Sequence, residues 1–471
     1  MRNNQHLLVS RIIRNYLVIG VTSYIILFFY WLDSMNYYNV LNVWALLSYA
    51  YLLWMCINKD EEYFTSRRLW LTVFLYTLLF TALYLQMSYF YTGNTFLFSE
   101  SDARAYEHHA FHMKDMGFTK AITYISHIWG YDDWGAPMSM VFLLKIIPNK
   151  LFVNFCYVVL NSLSALCIFS MGTSLKMSRK YAYLAALSYA IASYTIFFLG
   201  SFLKEEMMCF LVIVSFYMLY QYQRKQKILY LAIGGMTSLL IVFFRVPIAL
   251  FIWLSYASIL LLGDKGHIKR MLFMFVFVFI AIIAAGLVMY SSNLYANNGD
   301  VTHSYQYVTT TLFQKTVSSV GALVGPFPAL FQISTVPFTA KPLFGAGLLF
   351  KFLLFFPFWK GFILCMKTRA VEMYPLFLFA IMEMVGLCLV FDGLELRKAM
   401  PHVALFILCA FWYMDRFDKD TTEEIRATPY YYWTYKGLSA SMMVVFLVTL
   451  TWNVLLRIPG VQHIILFSTD Q

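Results

Sequence analysis

The chain has 471 residues, 61% of them hydrophobic and only 13% charged, and its mean hydropathy is +0.66. A water-soluble domain carries about a quarter charged residues, so the composition excludes an ordinary soluble protein and makes lipid the expected solvent for most of the surface. The net charge of +11 does not point to nucleic acid, because the basic residues fall in short segments between apolar stretches, where they orient a chain in a membrane and attract anionic lipid or phosphate.

A helix needs about 20 mostly apolar residues to cross a bilayer core. In chain order such stretches occur at 15–32, 39–57, 69–91, 151–171, 182–200, 207–220, 228–243, 246–262, 271–290, 343–366, 371–391, 400–415 and 437–456. They predict an all-α, polytopic membrane protein of about thirteen transmembrane helices. The first stretch follows Arg11 and Arg14 and lacks a small-residue cleavage site, so it reads as a span rather than a signal peptide. Several stretches are short, which predicts tilted or discontinuous helices.

With the N-terminus in the cytoplasm, every second loop is basic, and those inner segments hold 21 of the 35 Lys and Arg residues. This asymmetry places the C-terminus on the outer face. Two outer loops are long, at about 92–150 and 291–342, each too short for an ordinary separate domain. The expected organisation is two additional N-terminal spans over 1–68, a transmembrane module over 69–262 and a C-terminal module over 263–471. Met138–Ile147, closed by Pro148, predicts a short helix lying in the outer interface. The seven cysteines lie in or beside apolar stretches with no C-x-x-C pair, which predicts packing residues rather than disulfides or thiolate metal sites.

The polar residues that stand out lie in the outer segments. Ser99 to Ala110 places Asp102 just past the third span, at the membrane–water boundary, where partial desolvation makes a carboxylate a better base. Tyr106, four residues on, shares its face if the segment is helical, and an ordinary amphipathic loop helix would give the same pattern. His108 and His112 have the i, i+4 spacing of helical zinc ligands without the H-E-x-x-H order, so they read either as a metal pair or as solvated loop histidines. Tyr131-Asp132-Asp133-Trp134 then offers adjacent carboxylates that need a cation, a hydroxyl or a helix N-terminus to satisfy them. Lys204-Glu205-Glu206 is forced to the outer interface between two spans. There Lys204 suits a phosphate and Glu205 a sugar hydroxyl or cation, and a plain polar hairpin is the other reading. Arg245 breaks the inside-positive pattern, and Arg397-Lys398 forms a second outer basic site. These three suit a phosphate or pyrophosphate, or snorkelling to lipid head groups. Glu383 lies inside the eleventh stretch, either protonated or paired with Lys351 or Lys360.

The succession of Ser101-Asp102-Ala103 with Tyr106, Asp132-Asp133 with Gly135-Ala136-Pro137, Lys204-Glu205, Arg245, and Arg397 with Pro401 resembles the C-type (GT-C) membrane glycosyltransferases, a group that includes protein mannosyltransferases and aminoarabinose transferases. The resemblance covers residues 69–262 and, more loosely, the Arg397 region. The resemblance implies transfer of a sugar from a polyprenyl-phosphate or polyprenyl-diphosphate donor on the outer leaflet, with inversion. Asp102 would be the base. Arg245, Arg397 and Lys398 would stabilise the leaving phosphate. Tyr106, Tyr131, Asp132, Asp133, Trp134, Lys204 and Glu205 would hold substrate, and a divalent metal ion is an optional cofactor. Departures from the family pattern are the two extra N-terminal spans, Ser101-Asp102 in place of an Asp-Glu pair, and only residues 457–471 after the last span. The acceptor would be a glycan or a lipid.

A polysaccharide polymerase joining lipid-linked repeat units would use the same residues, with the 291–342 loop shaping an oligosaccharide groove. A transporter or flippase for lipid-linked sugar would be expected to show repeated halves and midplane polar residues, of which only Glu383 is evident. The expected setting is a bacterial plasma membrane, since the 291–342 loop has no N-x-S/T sequon.

Overall fold

The computed structural model describes residues 61–93, 101–129, 134–192, 202–262, 354–390 and 400–419, with isolated positions between 47 and 55, around 195–200 and at 437. The stretches at 15–32, 271–290 and 437–456, most of 39–57, the loop 291–342 and the first part of 343–366 lie outside the described residues. Among the described residues every regular element is helical and there is no strand. The helices are named here α1 (Ser66–Thr92), α2 (Ser101–Met113), α3 (Phe118–Trp129), α4 (Gly135–Ile146), α5 (Lys150–Ser174) and α6 (Arg179–Ala190). They continue with α7 (Glu205–Lys225), α8 (Ile228–Ile241), α9 (Val246–Leu262), α10 (Phe355–Thr368), α11 (Tyr374–Val390) and α12 (Met400–Lys419).

Local chemistry sets the boundaries. At the start of α1 the Thr65 hydroxyl accepts the Arg68 N–H at 3.3 Å, and the helix stops at Gly93 with φ 67°, a left-handed conformation that glycine adopts without a Cβ penalty. The Asn149 side chain accepts the Leu151 N–H at 2.8 Å and opens α5. Among the described residues α1 and α5 are the helices long and apolar enough to cross a membrane. α1 carries Leu71, Leu75 and Leu79 as an exposed apolar stripe, one face of a helix read every fourth residue.

α12 forms the centre. It is buried continuously from Met400 to Asp415 and packs against α5, α6, α7, α10 and α11. A helix apolar on all sides belongs in such an interior position. α6, buried from Tyr181 to Ala190, is held between α5 and α12. α7 joins α5 and α12 on one side and α8 on the other, and α9 packs on α11. The helix expected over 182–200 is interrupted after Ala190, where Ile191 is in a turn and the Ala192 carbonyl accepts the Thr195 N–H, and Thr195 and residues 198–200 are again helical.

The helices have two distinct ends. The last turns of α5 and α7, the starts of α1 and α6, and Glu372 surround a cavity of about 880 Å³ that includes Arg179 and Arg224. Beside it the Lys419 ammonium donates to the Lys176 carbonyl at 2.8 Å, and the Tyr220 hydroxyl donates to the Glu372 carbonyl. All these residues come from segments expected on the inner face.

Candidate functional site

The opposite end is built from α2, α3, α4 and the short links before α7 and α9. α2 packs on α4 through a buried face that includes Ala103, Tyr106 and Ala110. Asp102 sits half-buried in the first turn of α2, one turn before Tyr106, a position where the helix dipole favours a negative charge. At the other end of α2 the Lys145 ammonium donates to the carbonyls of Lys114 and Met116 at 2.7 and 2.6 Å, satisfying acceptors at the helix terminus.

Lys150 ties α2 to the link before α7. Its ammonium bonds the Glu107 carboxylate at 2.5 Å and lies 4.4 Å from the centre of the Phe202 ring, a cation–π arrangement.

Three of the expected site segments meet at the turn between α8 and α9. The Gly135 N–H bonds the Phe243 carbonyl at 2.9 Å. A Cβ on Gly135 would lie 2.8 Å from that oxygen and from the Phe244 ring, so only glycine permits the approach. The Trp134 ring lies 4.4 Å from that of Phe243. The Lys204 ammonium, 5% exposed, donates to the Phe244 carbonyl at 3.4 Å. Arg245 follows directly, half-buried. Its carbonyl accepts the Ile248 N–H at 3.2 Å, and Pro247 occupies the first turn of α9, where its missing N–H costs nothing. Trp134, Lys204 and Arg245 are thus brought to one turn. Glu205, fully buried, opens α7 beside them. Asp102 and Tyr106 connect to this assembly through α4 and the Glu107–Lys150–Phe202 contacts. Tyr131, Asp132, Asp133, Arg397 and Lys398 lie outside the described residues.

The histidines of α2 face α3. His109 Nδ1 lies 3.1 Å from the Tyr124 hydroxyl, and the His112 ring is 5.0 Å from that of Tyr124. Burial, then the neighbouring His108 and His112, hold the His109 imidazole below its ordinary pKa. Among the described residues no group of three or more His, Cys, Asp or Glu side chains is placed to hold a metal ion.

Several polar residues here carry no expected role from sequence. Glu206 is 2% exposed, and Asn154 and Tyr157, one turn apart on α5, are 2% and 0% exposed. Glu206 stands in the same charged run as Lys204 and Glu205. Asn154 and Tyr157 are polar residues three apart within a predicted span, a signal as visible as Glu383. Glu383, expected either protonated or paired with Lys351 or Lys360, lies 3.2 Å from the His402 imidazole of α12, and Lys351 lies outside the described residues. His402 was the less visible partner because it opens an apolar helix behind Pro401. No protein-family model matches the chain, and no curated protein matches it in sequence.

Proposed function

We propose that the chain is a multi-span membrane glycosyltransferase of C-type character that acts on the outer face of a plasma membrane and takes its sugar from a polyprenyl-(di)phosphate donor. The observation that carries this reading is the meeting of Trp134, Lys204 and Arg245 at one turn, with the Asp102-bearing helix attached to the same end. That end is opposite the cavity around which the basic inner segments gather. Exposed leucines along α1 and exposed Leu229, Met236 and Leu240 on α8 support a lipid-facing surface, in line with an arrangement of about thirteen spans.

In the proposed reaction the Asp102 carboxylate takes the proton of an acceptor hydroxyl. The hydroxyl oxygen bonds the anomeric carbon from the side opposite the leaving group, and the bond from that carbon to the donor phosphate oxygen breaks. The configuration inverts, and the electron pair leaves with the phosphate. Arg245 offers a planar fork of donors to the departing oxygens, joined in this reading by Arg397 and Lys398. A half-buried carboxylate at the boundary suits this task, since acceptor hydroxyls arrive from water and the donor from lipid.

The test is transfer of radiolabelled hexose from polyprenyl phosphate to membrane acceptors by the full chain. Asp102→Asn is expected to lower the rate by about two orders of magnitude or more, the usual share of a general base, while leaving donor binding in place. Undiminished transfer by Asp102→Asn would remove the proposed base. Arg245→Lys keeps the charge but loses the two-pronged geometry, and is expected to reduce turnover without abolishing it.

A further inference from the structure

The end of the bundle opposite Asp102 holds the cavity of about 880 Å³, a size within the range of about 300–1,000 Å³ usual for small-ligand sites. Its walls are fixed by packing. Phe64 and Phe169 line it and both contact the Tyr183 ring of α6, at 5.4 and 6.5 Å between ring centres. Tyr220, also in the wall, ties α7 to the segment before α11 by donating its hydroxyl to the Glu372 carbonyl.

Two guanidinium groups from different helices line the same space. Arg179 is the first residue of α6, and Arg224 stands in the last turn of α7. Both are exposed, and among the described residues neither forms an ion pair. Glu372 is the acid among the lining residues, so two positive charges face one negative. The hydroxyls divide by role. Thr173 and Ser174, in the last turn of α5, both give their protons to the Ser170 carbonyl, at 2.9 and 2.8 Å, and their oxygens are left to accept. Thr65 is the reverse case. Its oxygen already accepts the Arg68 N–H, and its proton remains to donate.

We infer that this cavity binds a phosphate ester that also carries hydroxyl groups. The lining decides the class. A bare cation would meet two guanidinium groups. A planar carboxylate presents its oxygens along one edge, matched by a single guanidinium fork, whereas the oxygens of a tetrahedral phosphate face several directions and take forks from two helices. The hydroxyls of the ester donate to Thr173, Ser174 and the Glu372 carboxylate, acceptors that a bare phosphate ion would leave unserved. Such a ligand enters either as the head group of a glycerol-type phospholipid in the adjacent leaflet or as a soluble ester from the compartment on that side. The site is independent of the sugar-transfer reading, which uses none of these residues.

The experiment uses the full chain, purified in detergent and freed of lipid, and follows its thermal unfolding at constant ionic strength. Screening is then the same throughout, and a rise reports binding to the folded state. The soluble probes are glycerol phosphate, methyl phosphate and sulfate, and the lipid probes are phosphatidylglycerol and phosphatidylcholine. Glycerol phosphate, phosphatidylglycerol or both are expected to stabilise the protein beyond the other three. Arg179→Gln and Arg224→Gln are each expected to weaken that response at least tenfold in apparent affinity. Lys227→Gln, which removes a cation at the same end outside the cavity lining, should change it less than twofold. Because both arginines are exposed, the unfolding temperatures of their variants without ligand should match the wild type, which separates binding from folding. Arg179→Lys and Arg224→Lys keep the charge and lose the fork. They should weaken the response as well, and they serve where a neutral variant unfolds early. Ser174→Ala should bring glycerol phosphate down towards methyl phosphate. A response to phosphatidylglycerol alone supports a lipid head group as the source, and a response to glycerol phosphate supports a soluble ester. No stabilisation by either ester, or equal responses in the wild type and the arginine variants, would overturn the inference. Equal weakening by Lys227→Gln would do so too, since it would mark a diffuse basic surface. Sulfate or methyl phosphate acting as well as the hydroxyl-bearing esters would also overturn it, since charge alone would then hold the anion.

Discussion

Asp415 shows what a buried carboxylate looks like in this protein when its partners are present. It is 1% exposed, and its two oxygens each accept the Ser178 N–H at 3.2 Å while the Lys419 ammonium donates at 2.7 Å. Ser178 is the residue that opens α6, and its own side chain makes no capping bond. A carboxylate from α12 therefore does the capping that α6 does not do for itself, and places negative charge at the positive end of the α6 dipole. Asp415→Ala is expected to destabilise the protein by about 1–3 kcal/mol, read as a lower unfolding temperature in detergent, with Asp415→Asn falling between. His109 makes a pH-dependent contribution of the opposite kind. Its pKa is held below the ordinary value by burial and by His108 and His112, so near pH 6 the folded state binds fewer protons there than the unfolded chain. Stability is then fully present above the unfolded histidine pKa of about 6.5 and is lost as pH falls from there towards the depressed value. Unfolding temperatures measured between pH 7.5 and 5.5 should fall more steeply for the wild type than for His109→Gln. Equal slopes would remove His109 from the pH response.

At the scale of elements, the joint between α4 and the α8–α9 turn is a tightly constrained contact. Gly135→Ala would force a methyl group into the Phe243 carbonyl and the Phe244 ring, an overpacking that costs about 1–3 kcal/mol. It would also displace Trp134 from the turn that carries Arg245, so transfer activity should fall together with unfolding temperature, and activity retained at full stability would show the joint to be loose. How far such elements are legible in sequence depends on what hydropathy measures. The stretches 69–91 and 151–171 agree closely with α1 (Ser66–Thr92) and α5 (Lys150–Ser174), because long apolar runs are bounded by the polar caps Thr65 and Asn149. The short helix expected at Met138–Ile147 appears as α4 with a start three residues earlier, at Gly135. The interruption after Ala190 was not legible, since apolar and hydroxylated residues alternate there without glycine or proline to mark a break. Nor was the central place of α12, because hydropathy does not distinguish a helix surrounded by protein from one surrounded by lipid. In the candidate site the charged residues announced themselves by breaking apolar runs, whereas Tyr157 and Asn154 were masked by the span that carries them.

For the molecule as a whole, sidedness is the property that joins charge pattern to chemistry. α5 begins at Lys150, among the Glu107 and Phe202 contacts, and ends at Thr173 and Ser174, which line the basic cavity. α7 begins at Glu205 near the α8–α9 turn and ends at Gln223 and Arg224 in the same cavity. At 1.5 Å per residue these helices are roughly 37 and 31 Å long, just above the ~30 Å hydrocarbon thickness. The two polar assemblies therefore stand about one bilayer apart, and the orientation proposed from the alternation of basic loops would put the cavity on the cytoplasmic side. Single cysteines placed in a cysteine-free chain test this directly. Lys120, exposed on α3, belongs to the end proposed to face outward, and Lys227, exposed in a short interhelical link, and Thr368, exposed at the last position of α10, belong to the opposite end. In intact cells a membrane-impermeant maleimide should label Lys120→Cys and spare Lys227→Cys and Thr368→Cys until the membrane is opened. The reverse pattern would invert the orientation and put Asp102 on the wrong side for a lipid-linked donor on the outer leaflet. Labelling of all three in intact cells would mean that the two ends do not face different compartments, and with that the argument for an interfacial sugar transferase would lose its footing.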